Sequence, residues 1–359
     1  MTRSDVGLLC GGHASEHVIS LKSGRTLLSA LGEAGYAVHP VVIGEDGTWN
    51  QLRRVSPGGV DALPDRARGA VDGAVHRGAA LDVATHLRDA GVRVIVLGLH
   101  GRSGEDGSMQ GFLETAGFAW TGCGVVASAI AIDKVQFKRW LLGAGFPTPP
   151  FHEVRNPSEV EALAQDLGLP VVVKASSLGS SVQVHVLDSM PEVQQKASRI
   201  IRLEGRALLE QFVDGCELTV PVIGDGPRAR PLPVIEIRPR MGRFFDYRCK
   251  YEDGGADEIV PALISSALAD RVSTLAVDIH RLLGSRGVTR TDFMVDSNGD
   301  PLVLEINTLP GMTSASLVPK AAAADGLSLR ELVTELVEGA APSPPNSIAD
   351  FAEQASAEG

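Results

Sequence analysis

Short apolar runs alternate with a helical pattern through the first hundred residues. Val6 to Cys10 is an apolar run followed by two glycines, a helical pattern follows from about Ser15 to Leu31, and a second apolar run extends from Tyr36 to Ile43. A strand, a glycine turn, a helix and a strand in this order predict an α/β domain with a parallel sheet that binds a nucleotide or another small ligand. Residues 44–80 are rich in glycine, aspartate and arginine, which predicts loops and irregular connections.

Further along the chain, short apolar runs are separated by turn residues and by a few helical segments. The predicted helices cover about 82–90, 130–142 and 267–283. The predicted strands cover 92–98, 171–174, 182–186, 207–212, 217–223 and 233–237, with a hairpin over 289–307. A long loop is predicted to run through Pro261. The tail from about Ala341 is rich in alanine, proline, serine and glutamate, and we expect it to be disordered.

Length, composition and charge limit the functions that this chain can have. A chain of 359 residues is long enough for two or three domains with cores of their own. Apolar residues make up 44% and charged residues 21%, values typical of a globular protein. The formal net charge of -11 argues against a general nucleic-acid binder, which needs a basic surface. It does not exclude ATP, because a few local lysines and backbone amides suffice to hold phosphates.

Cysteine usage and hydropathy favour a cytoplasmic location without a membrane partner. The four cysteines, Cys10, Cys123, Cys216 and Cys249, form no C-x-x-C pair, so we expect buried free thiols rather than a zinc site. No apolar run approaches the ~18 residues of a membrane span. The N-terminal residues predict a first strand and not a signal peptide.

The strongest chemical signal is the hairpin over 289–307. Its Asn-Gly pair at 298–299 is a favoured two-residue turn, and this register places Asp292 opposite Glu305, and Arg290 opposite Asn307, on one face. Two opposed carboxylates repel each other, and a hard cation with oxygen ligands removes the conflict. The two acids and the asparagine therefore suit Mg²⁺. The alternative is a slipped register, or surface carboxylates that pair with arginine.

A second signal is the segment KASSLGSS, which begins at Lys174 and ends at Ser181. The backbone amides of such a loop bind phosphate oxygens, and the lysine adds a positive charge. The segment leads into a strand rather than a helix, so it fits a lid between two strands better than a Walker loop. Lys134, after Asp133 at a helix start, is a second candidate phosphate ligand. A flexible surface hairpin and a solvated lysine are the alternatives.

Three other loops carry weaker signals. His100 follows the third strand, Glu16 lies near the first helix start, and Ser314 and Ser316 precede an alanine-rich helix. The first two suit contacts with a small substrate, because loops at the carboxyl ends of strands bind ligands in α/β domains. The serines, with backbone amides, suit a carboxylate. The alternatives are local hydrogen bonds of a turn histidine, stabilisation of a helix terminus by an acid, and serine N-capping.

Eight strings in one order carry a resemblance to the D-alanine–D-alanine ligases of the ATP-grasp superfamily. They are GGHASEH, LHGRSGEDGSMQG, DKVQFK, VVKASSLGSS, EQFVDGCELTV, FFDYRCKY, TRTDFMVD and LEINTLPGMTSASLVP. The resemblance covers about residues 5–340 and implies an α/β fold with α+β elements, in which ATP lies between two antiparallel sheets. The implied division is 1–128 for an N-terminal substrate domain, 129–221 for a central lid domain, 222–340 for a C-terminal metal domain, and 341–359 for the tail.

The resemblance also implies roles for individual residues. For ATP, the set is Lys134, Lys174, Ser181 and Lys250 near the phosphates, Glu210 and Val213 at the adenine, and Glu217 at the ribose. For D-alanine, it is Glu16 at the first ammonium group, His100 in a substrate loop, and Ser316 with Leu317 at the second carboxylate. For catalysis, it is Arg290 at the reacting carboxyl group and a hydrogen-bonded triad of Glu16, Ser180 and Tyr251. For Mg²⁺ or Mn²⁺, two ions in all, it is Asp292, Glu305 and Asn307.

The implied reaction joins two D-alanine molecules through an acyl phosphate, for peptidoglycan precursor synthesis, in an enzyme whose relatives are usually homodimers. One alternative keeps this chemistry with D-lactate or D-serine as second substrate, although Tyr251 favours D-alanine. A non-catalytic ATP-binding module is another alternative, but it predicts loss of a metal or oxyanion residue, and none is lost. A nicotinamide-dependent dehydrogenase is a poor interpretation of TGCGVVA at 121–127, because the acidic strand end expected ~20 residues later is missing.

Overall fold

The computed structural model describes residues 3–59, 63–177, 183–240 and 255–340. Four of the predicted site residues, namely Ser180, Ser181, Lys250 and Tyr251, lie outside the described residues, as do Cys249 and the tail from Ala341. The chain divides into two compact units. Unit 1 contains the described residues up to 125, residues 311–313 and residues 329–340, and unit 2 contains 126–310 and 314–328.

Both units contain helices and strands. The helices are α1 (His17–Glu33), α2 (Ala80–Asp89), α3 (Ser108–Thr115), α4 (Val125–Ile132), α5 (Lys134–Gly143), α6 (Val160–Leu167), α7 (Met190–Glu204), α8 (Ser266–Leu282), α9 (Leu317–Ala324) and α10 (Leu329–Glu338). The strands are β1 (Val6–Gly11), β2 (Val38–Ile43), β3 (Trp49–Gln51), β4 (His76–Gly78), β5 (Val94–Leu97), β6 (Ala119–Trp120), β7 (Phe151–Val154), β8 (Val171–Lys174), β9 (Val184–Leu187), β10 (Ala207–Gln211), β11 (Cys216–Ile223), β12 (Arg230–Pro231), β13 (Ile235–Pro239), β14 (Ala256–Ile259), β15 (Val288–Val295) and β16 (Pro301–Asn307). Within the described residues, no helix is both long and apolar enough to cross a bilayer.

Unit 1 is built on one sheet with the strand order β4-β3-β2-β1-β5-β6. The central strand β1 pairs in parallel with β2 and β5, and every residue of β1 and β2 is buried. Such continuous apolar strands belong in the middle of a parallel sheet, because helices cover both of its faces. The parallel α/β domain predicted from the sequence is therefore confirmed.

The prediction of irregular connections over 44–80 is wrong for two segments. Strands β3 and β4 extend the sheet of unit 1 in antiparallel pairing at its edge. They lack an apolar run because Asn50 is buried and satisfies the backbone there, donating its amide to the carbonyl oxygens of Val42 at 3.2 Å and Gly69 at 3.0 Å. A buried polar side chain that hydrogen-bonds to other segments of the backbone removes the pattern on which strand prediction depends.

In unit 2, the prediction of a single helix over 130–142 is wrong. The chain forms two helices there, α4 and α5, which are separated at Asp133. The side chain of Asp133 accepts a hydrogen bond from the backbone amide of Gln136 at 3.2 Å, so an aspartate N-cap starts a new helix. Strand β14 lies inside the long loop predicted before Pro261. The sequence prediction also lacked α3, α6, α7 and α10.

Two antiparallel sheets form unit 2. The first has the order β7-β10-β8-β9, and the second has the order β14-β13-β11-β15-β16, with β12 paired to β11. Helices α6 and α7 pack on one face of the first sheet, where side chains such as Val171, Val173 and Leu209 form a closed apolar core. Because side chains alternate along a strand, Val172, Lys174 and Glu210 point to the opposite face. That face carries the candidate site.

A buried histidine joins helix α8 to the second sheet of unit 2. His280 is 0% exposed. Its Nδ1 lies 2.7 Å from Thr289 Oγ1, and its Nε2 lies 3.2 Å from the carbonyl oxygen of Gly224. Since a carbonyl oxygen only accepts, Nε2 carries the proton, and the hydroxyl of Thr289 donates to Nδ1. Burial lowers the pKa of His280 from 6.5 to about 4.

We expect unit 2 to lose stability as the pH falls from 6.5 towards 4. In this range the unfolded chain binds a proton at His280 and the folded chain does not, so the free energy of unfolding falls by up to about 3 kcal/mol. Urea unfolding measured between pH 7 and pH 4.5 tests this expectation. The variant His280→Gln should have a shallower slope in this range, and parallel slopes for the two proteins would contradict the assignment.

Candidate active site

A cleft in unit 2 opens between its two sheets. Its empty space is about 700 Å³ including the open mouth, which lies in the range of small-molecule sites. Seven residues predicted from the sequence line this cleft. They are Lys134, Lys174, Glu210, Val213, Glu217, Asp292 and Glu305.

Apolar side chains from both sheets form opposite walls of the cleft. Val172, Val184 and Val186 come from β8 and β9, and Met294 and Leu304 come from β15 and β16. Apolar surfaces on two sides suit a planar aromatic ring. The charged residues line other parts of the same cleft. The cleft can therefore hold a molecule with an apolar ring and an anionic part.

The pairing of β15 with β16 confirms the register predicted at the chemical residues. Asp292 lies opposite Glu305, and Arg290 lies opposite Asn307. The predicted two-residue turn is wrong, because the loop has three residues, 297–299, and the backbone amide of residue 296 donates to the carbonyl oxygen of residue 300 at 3.1 Å. Because of this three-residue loop, the residue pairs next to the turn differ by one position from the predicted pairs.

A β-bulge reverses that shift and turns the acidic residues towards the cleft. Phe293 pairs with Val303 whereas Asp292 pairs with Glu305, so Leu304 is the additional residue on β16. Leu304 and Glu305 both line the cleft, and Val303 is buried on the other face. In a regular strand, Glu305 would share the face of Val303. The bulge is therefore the local reason that Glu305 reaches the site.

Each of the opposed carboxylates has a cation beside it. Arg290 donates from Nε and Nη2 to the two carboxylate oxygens of Asp292, both at 2.9 Å, and Thr219 Oγ1 donates to the same carboxylate at 2.5 Å. Lys134 Nζ lies 3.3 Å from Glu305 Oε2. This is the arginine pairing that the sequence left as an alternative to a metal, although Asp292 is buried rather than on the surface.

The donor atoms at this place also suit a hard divalent cation. Two carboxylates share one face, and Asn307 follows Glu305 two positions later on the same strand. Oxygen donors of this type are those that Mg²⁺ prefers. Among the residues that the structure describes, no group of three or more His, Cys, Asp or Glu side chains forms a ready metal cluster. A metal at this hairpin would therefore need the asparagine or non-protein oxygens as further ligands.

A buried cluster on the other wall holds Lys174. Its Nζ forms an ion pair with Glu210 Oε1, and the second oxygen of Glu210 pairs with Lys138 Nζ. Lys138 also donates to Thr148 Oγ1 at 2.5 Å. Sequence reasoning missed Lys138 and Thr148. The available signal was the position of Lys138 four residues after Lys134, which places both on one face of α5.

Electrostatics favour the charged forms of Lys138 and Glu210 at neutral pH. Burial lowers the pKa of Lys138 to about 8, although Glu210 opposes the shift. Burial alone would raise the pKa of Glu210, but the ammonium groups of Lys138 and Lys174 lower it overall. The cluster therefore carries two positive charges and one negative charge.

Unit 1 brings together two of the predicted substrate loops. Glu16 precedes α1, and Ser15 Oγ donates to its carboxylate at 2.7 Å. His100 follows β5, with Nε2 at 2.9 Å from Ser23 Oγ. A Cβ atom added to Gly101 would lie 2.6 Å from Glu16 Oε2, so the two loops meet at that glycine. Glu16 is the N-cap residue of α1 and makes no side-chain cap hydrogen bond there, so any stabilisation of the helix terminus by this acid would come from its charge alone.

The predicted carboxylate site at the start of α9 has a simpler geometry. Ser316 occupies the N-cap position with an extended backbone, and Leu317 is the first helical residue. Leu317 is buried, and Ser314 is exposed. Ser316 makes no side-chain cap hydrogen bond to α9, so the alternative of ordinary serine capping has no support here, whereas the N-terminal position itself suits the predicted carboxylate contact.

Comparisons with known proteins agree along the chain. The family model described as D-ala D-ala ligase N-terminus matches residues 5–123, and the model described as D-ala D-ala ligase C-terminus matches residues 141–338. The D-alanine--D-alanine ligase of Desulforudis audaxviator is 37% identical over 335 residues, which are 92% of this chain and 97% of that protein. The D-alanine--D-alanine ligase of Cupriavidus metallidurans is 36% identical over 335 residues, which are 93% of this chain and 91% of that protein.

Solved structures show the same fold. The D-alanine-D-alanine ligase from Coxiella burnetii superposes with a TM-score of 0.77 at 24% identity, covering 100% of this chain and 97% of that chain. The D-alanyl-alanine synthetase A from Vibrio cholerae gives a TM-score of 0.76 at 24% identity, covering 95% and 99% of the two chains. The α/β fold predicted from the sequence, with a parallel-sheet domain and two antiparallel sheets, is confirmed by the strand pairing and by these likenesses. The matched models and relatives show that the chain belongs to the D-alanine–D-alanine ligase family.

Proposed function

We propose that this protein is an ATP-dependent ligase that joins two D-alanine molecules into D-alanyl-D-alanine through an acyl phosphate. The observation that carries the proposal is the cleft of unit 2, where Asp292 and Glu305 face each other and Lys134 and Lys174 line the same space. A nucleotide triphosphate needs this combination of cations and metal-binding carboxylates. The named relatives in the same family support D-alanine as the substrate.

The nucleotide enters the cleft with its adenine between the apolar walls. Val213 and Glu210 border the adenine, and Glu217 binds the ribose hydroxyls. Lys134 and Lys174 bind the phosphates, because their ammonium groups line the cleft and attract phosphate oxygens. By likeness to the family, Ser181 and Lys250 also contact the phosphates.

The divalent cation is assigned to Asp292, Glu305 and Asn307. These residues would hold Mg²⁺ or Mn²⁺, two ions in all by family likeness. When bound, the metal neutralises phosphate charge and acts as a Lewis acid. Arg290 is held in a fixed plane by its two hydrogen bonds to Asp292, so its guanidinium is preorganised to stabilise negative charge on the reacting carboxyl group.

The reaction has two steps. The carboxylate of the first D-alanine attacks the γ-phosphorus, ADP leaves, and the carboxyl group becomes an acyl phosphate. The amine of the second D-alanine, in its neutral form, then attacks the acyl carbon, and Arg290 stabilises the oxyanion. Inorganic phosphate leaves and takes the proton that the nitrogen releases. Water must be excluded, since it would hydrolyse the acyl phosphate. We assign this closure to the triad of Glu16, Ser180 and Tyr251 by family likeness.

Substrate contacts complete the assignment. Glu16 binds the ammonium group of the first D-alanine, and His100 lies in the same substrate loop region. Ser316 and Leu317 bind the carboxylate of the second D-alanine, as an N-cap with helical amides suits an anion.

At the level of the whole protein, we propose three domains, a homodimer and a cytoplasmic location, with the dipeptide used for peptidoglycan precursors. The two sheets of unit 2 support its division into a central and a C-terminal domain. Strand β11 crosses residue 221, and its pairing with β13 and β15 supports a boundary before Cys216.

A coupled assay tests the proposed reaction. The protein is mixed with ATP, Mg²⁺ and D-alanine, and phosphate and dipeptide are measured together. We expect one phosphate for each dipeptide formed. Phosphate release that requires D-lactate or D-serine would indicate a different second substrate, and absence of turnover with every acceptor would reject the ligase assignment.

Replacement of the opposed carboxylates should abolish turnover without unfolding the chain. We expect Asp292→Ala and Glu305→Ala each to lower kcat by about 10³-fold or more, because each removes a proposed metal ligand. Steady-state kinetics and circular dichroism provide the measurements. Asp300→Ala is the matched control on the same hairpin, since the carboxylate of Asp300 forms a surface ion pair with exposed Arg271 at 2.9 Å. Near-normal kcat in either site variant would remove the metal assignment.

Gly101→Ala should weaken binding of the first D-alanine. The added Cβ would lie 2.6 Å from Glu16 Oε2 and must displace that carboxylate. We expect a rise of about tenfold in the KM for D-alanine, in line with the loss of one charge-assisted hydrogen bond. Gly91→Ala is the control, because Gly91 also has a positive φ (86°) but no heavy atom within 4 Å of an added Cβ. Equal effects of both substitutions would indicate general backbone strain.

A further inference from the structure

Lys138 is a charged side chain for which the proposed reaction has no direct use. It is 0% exposed and lies behind the residues that line the cleft. Removing a lysine completely from water is costly, and a buried ion pair is weak evidence for a role in stability. The positive charge of Lys138 therefore calls for a functional explanation.

The contacts of Lys138 connect the two walls of the cleft. Its Nζ pairs with Glu210, whose other carboxylate oxygen pairs with Lys174. It also donates to Thr148 Oγ1 at 2.5 Å, and that hydroxyl donates to the carbonyl oxygen of Val303 at 2.8 Å. Val303 precedes the bulge residue Leu304 on β16. One ammonium group therefore contacts the lysine wall and, through Thr148, the base of the metal hairpin.

The charges of this cluster determine how strongly Lys174 can attract a phosphate group. With Glu210 as its sole partner, Lys174 would be neutralised by a full negative charge at contact distance. With Lys138 on the second oxygen of Glu210, the three groups sum to one positive charge. Other charges near Lys138 are Glu305 on β16 and Lys134 on the same helix, and these two pair with each other at 3.3 Å.

On the basis of the ATP site proposed above, we infer that Lys138 is a positioning residue that neutralises Glu210, so that the charge of Lys174 is available to the nucleotide phosphates. Lys138 itself touches neither nucleotide nor substrate. Its effect passes through Glu210, whose two oxygens hold the two ammonium groups. The low-dielectric surroundings strengthen each of these interactions and make the balance sensitive to the loss of one charge.

The decisive variant is Lys138→Met, with ATP and adenosine as separate probes in calorimetric titrations with Mg²⁺. Methionine fills a similar volume, and Glu210 keeps Lys174 as a partner, so we expect the variant to fold. ATP affinity should fall by about tenfold or more, because Lys174 is then neutralised. Adenosine affinity should stay within about twofold, since adenosine has no phosphate.

A second substitution tests whether the effect passes through Glu210. The single variant Glu210→Gln is the reference, because it removes the carboxylate that Lys138 neutralises. Adding Lys138→Met to Glu210→Gln should then change ATP affinity by less than about threefold. Lys138→Arg, which keeps the positive charge, should retain ATP affinity. Lys196→Met is the matched control, since Lys196 lies on α7, outside the cleft and the cluster.

The outcomes separate this inference from the ligase assignment. Unchanged ATP affinity in Lys138→Met, or a loss of more than about threefold when Lys138→Met is added to Glu210→Gln, would overturn the role of Lys138 while wild-type dipeptide formation stands. Equal losses for ATP and adenosine would mean that Lys138 only supports the shape of the cleft, which also overturns it. Failure of the wild-type protein to form dipeptide would reject the ligase assignment, but the binding measurements on Lys138 would remain valid.

Discussion

Two carboxylates that face each other across adjacent strands impose the main electrostatic constraint on this structure. Asp292 and Glu305 cannot share one face of β15 and β16 without positive charge nearby, because like charges at cross-strand distance repel. Arg290 and Thr219 satisfy Asp292, and Lys134 approaches Glu305 from the start of α5. The same oxygens that require these partners are suited to a divalent cation, which is why a structural constraint and a chemical function coincide at this hairpin.

On the opposite wall of the cleft the arrangement of charges is reversed. There, one carboxylate, Glu210, is buried between two lysines, and neither its charge nor theirs is exposed to much water. Each wall thus combines apolar side chains with compensated charges. Such a surface stays folded when empty and still presents cations to an anionic ligand, because the local balance on the lysine wall is positive rather than neutral.

The substrate loops of unit 1 follow from the topology of a parallel sheet. Neighbouring strands β1 and β5 run in the same direction, so the loops at their carboxyl ends lie side by side. This brings Glu16 next to Gly101, where the close approach leaves no space for a side chain. The glycine is therefore explained by a contact between two loops that are distant in the sequence.

Local patterns in the sequence determined a large part of this protein. The strand pattern of β15 and β16 predicted correctly that Asp292 lies opposite Glu305, but the predicted two-residue turn was wrong, and the bulge at Leu304 restores the register that such a turn would have given. The ordered motifs were enough to identify the family and seven of the residues that line the cleft. Such features are local, or are specific strings, and they do not require knowledge of how distant segments pack.

Tertiary structure decided what local patterns do not encode. The polar strands β3 and β4 form because Asn50 bonds to backbone that lies elsewhere in the sequence, and the bulge at Leu304 aligns a hairpin whose turn alone would give another register. The burial of Lys138 between Glu210 and Thr148 depends on the packing of α5 against two sheets. Burial and charge compensation arise from contacts between distant residues, so only the folded chain shows which lysine is exposed to a ligand and which one is enclosed.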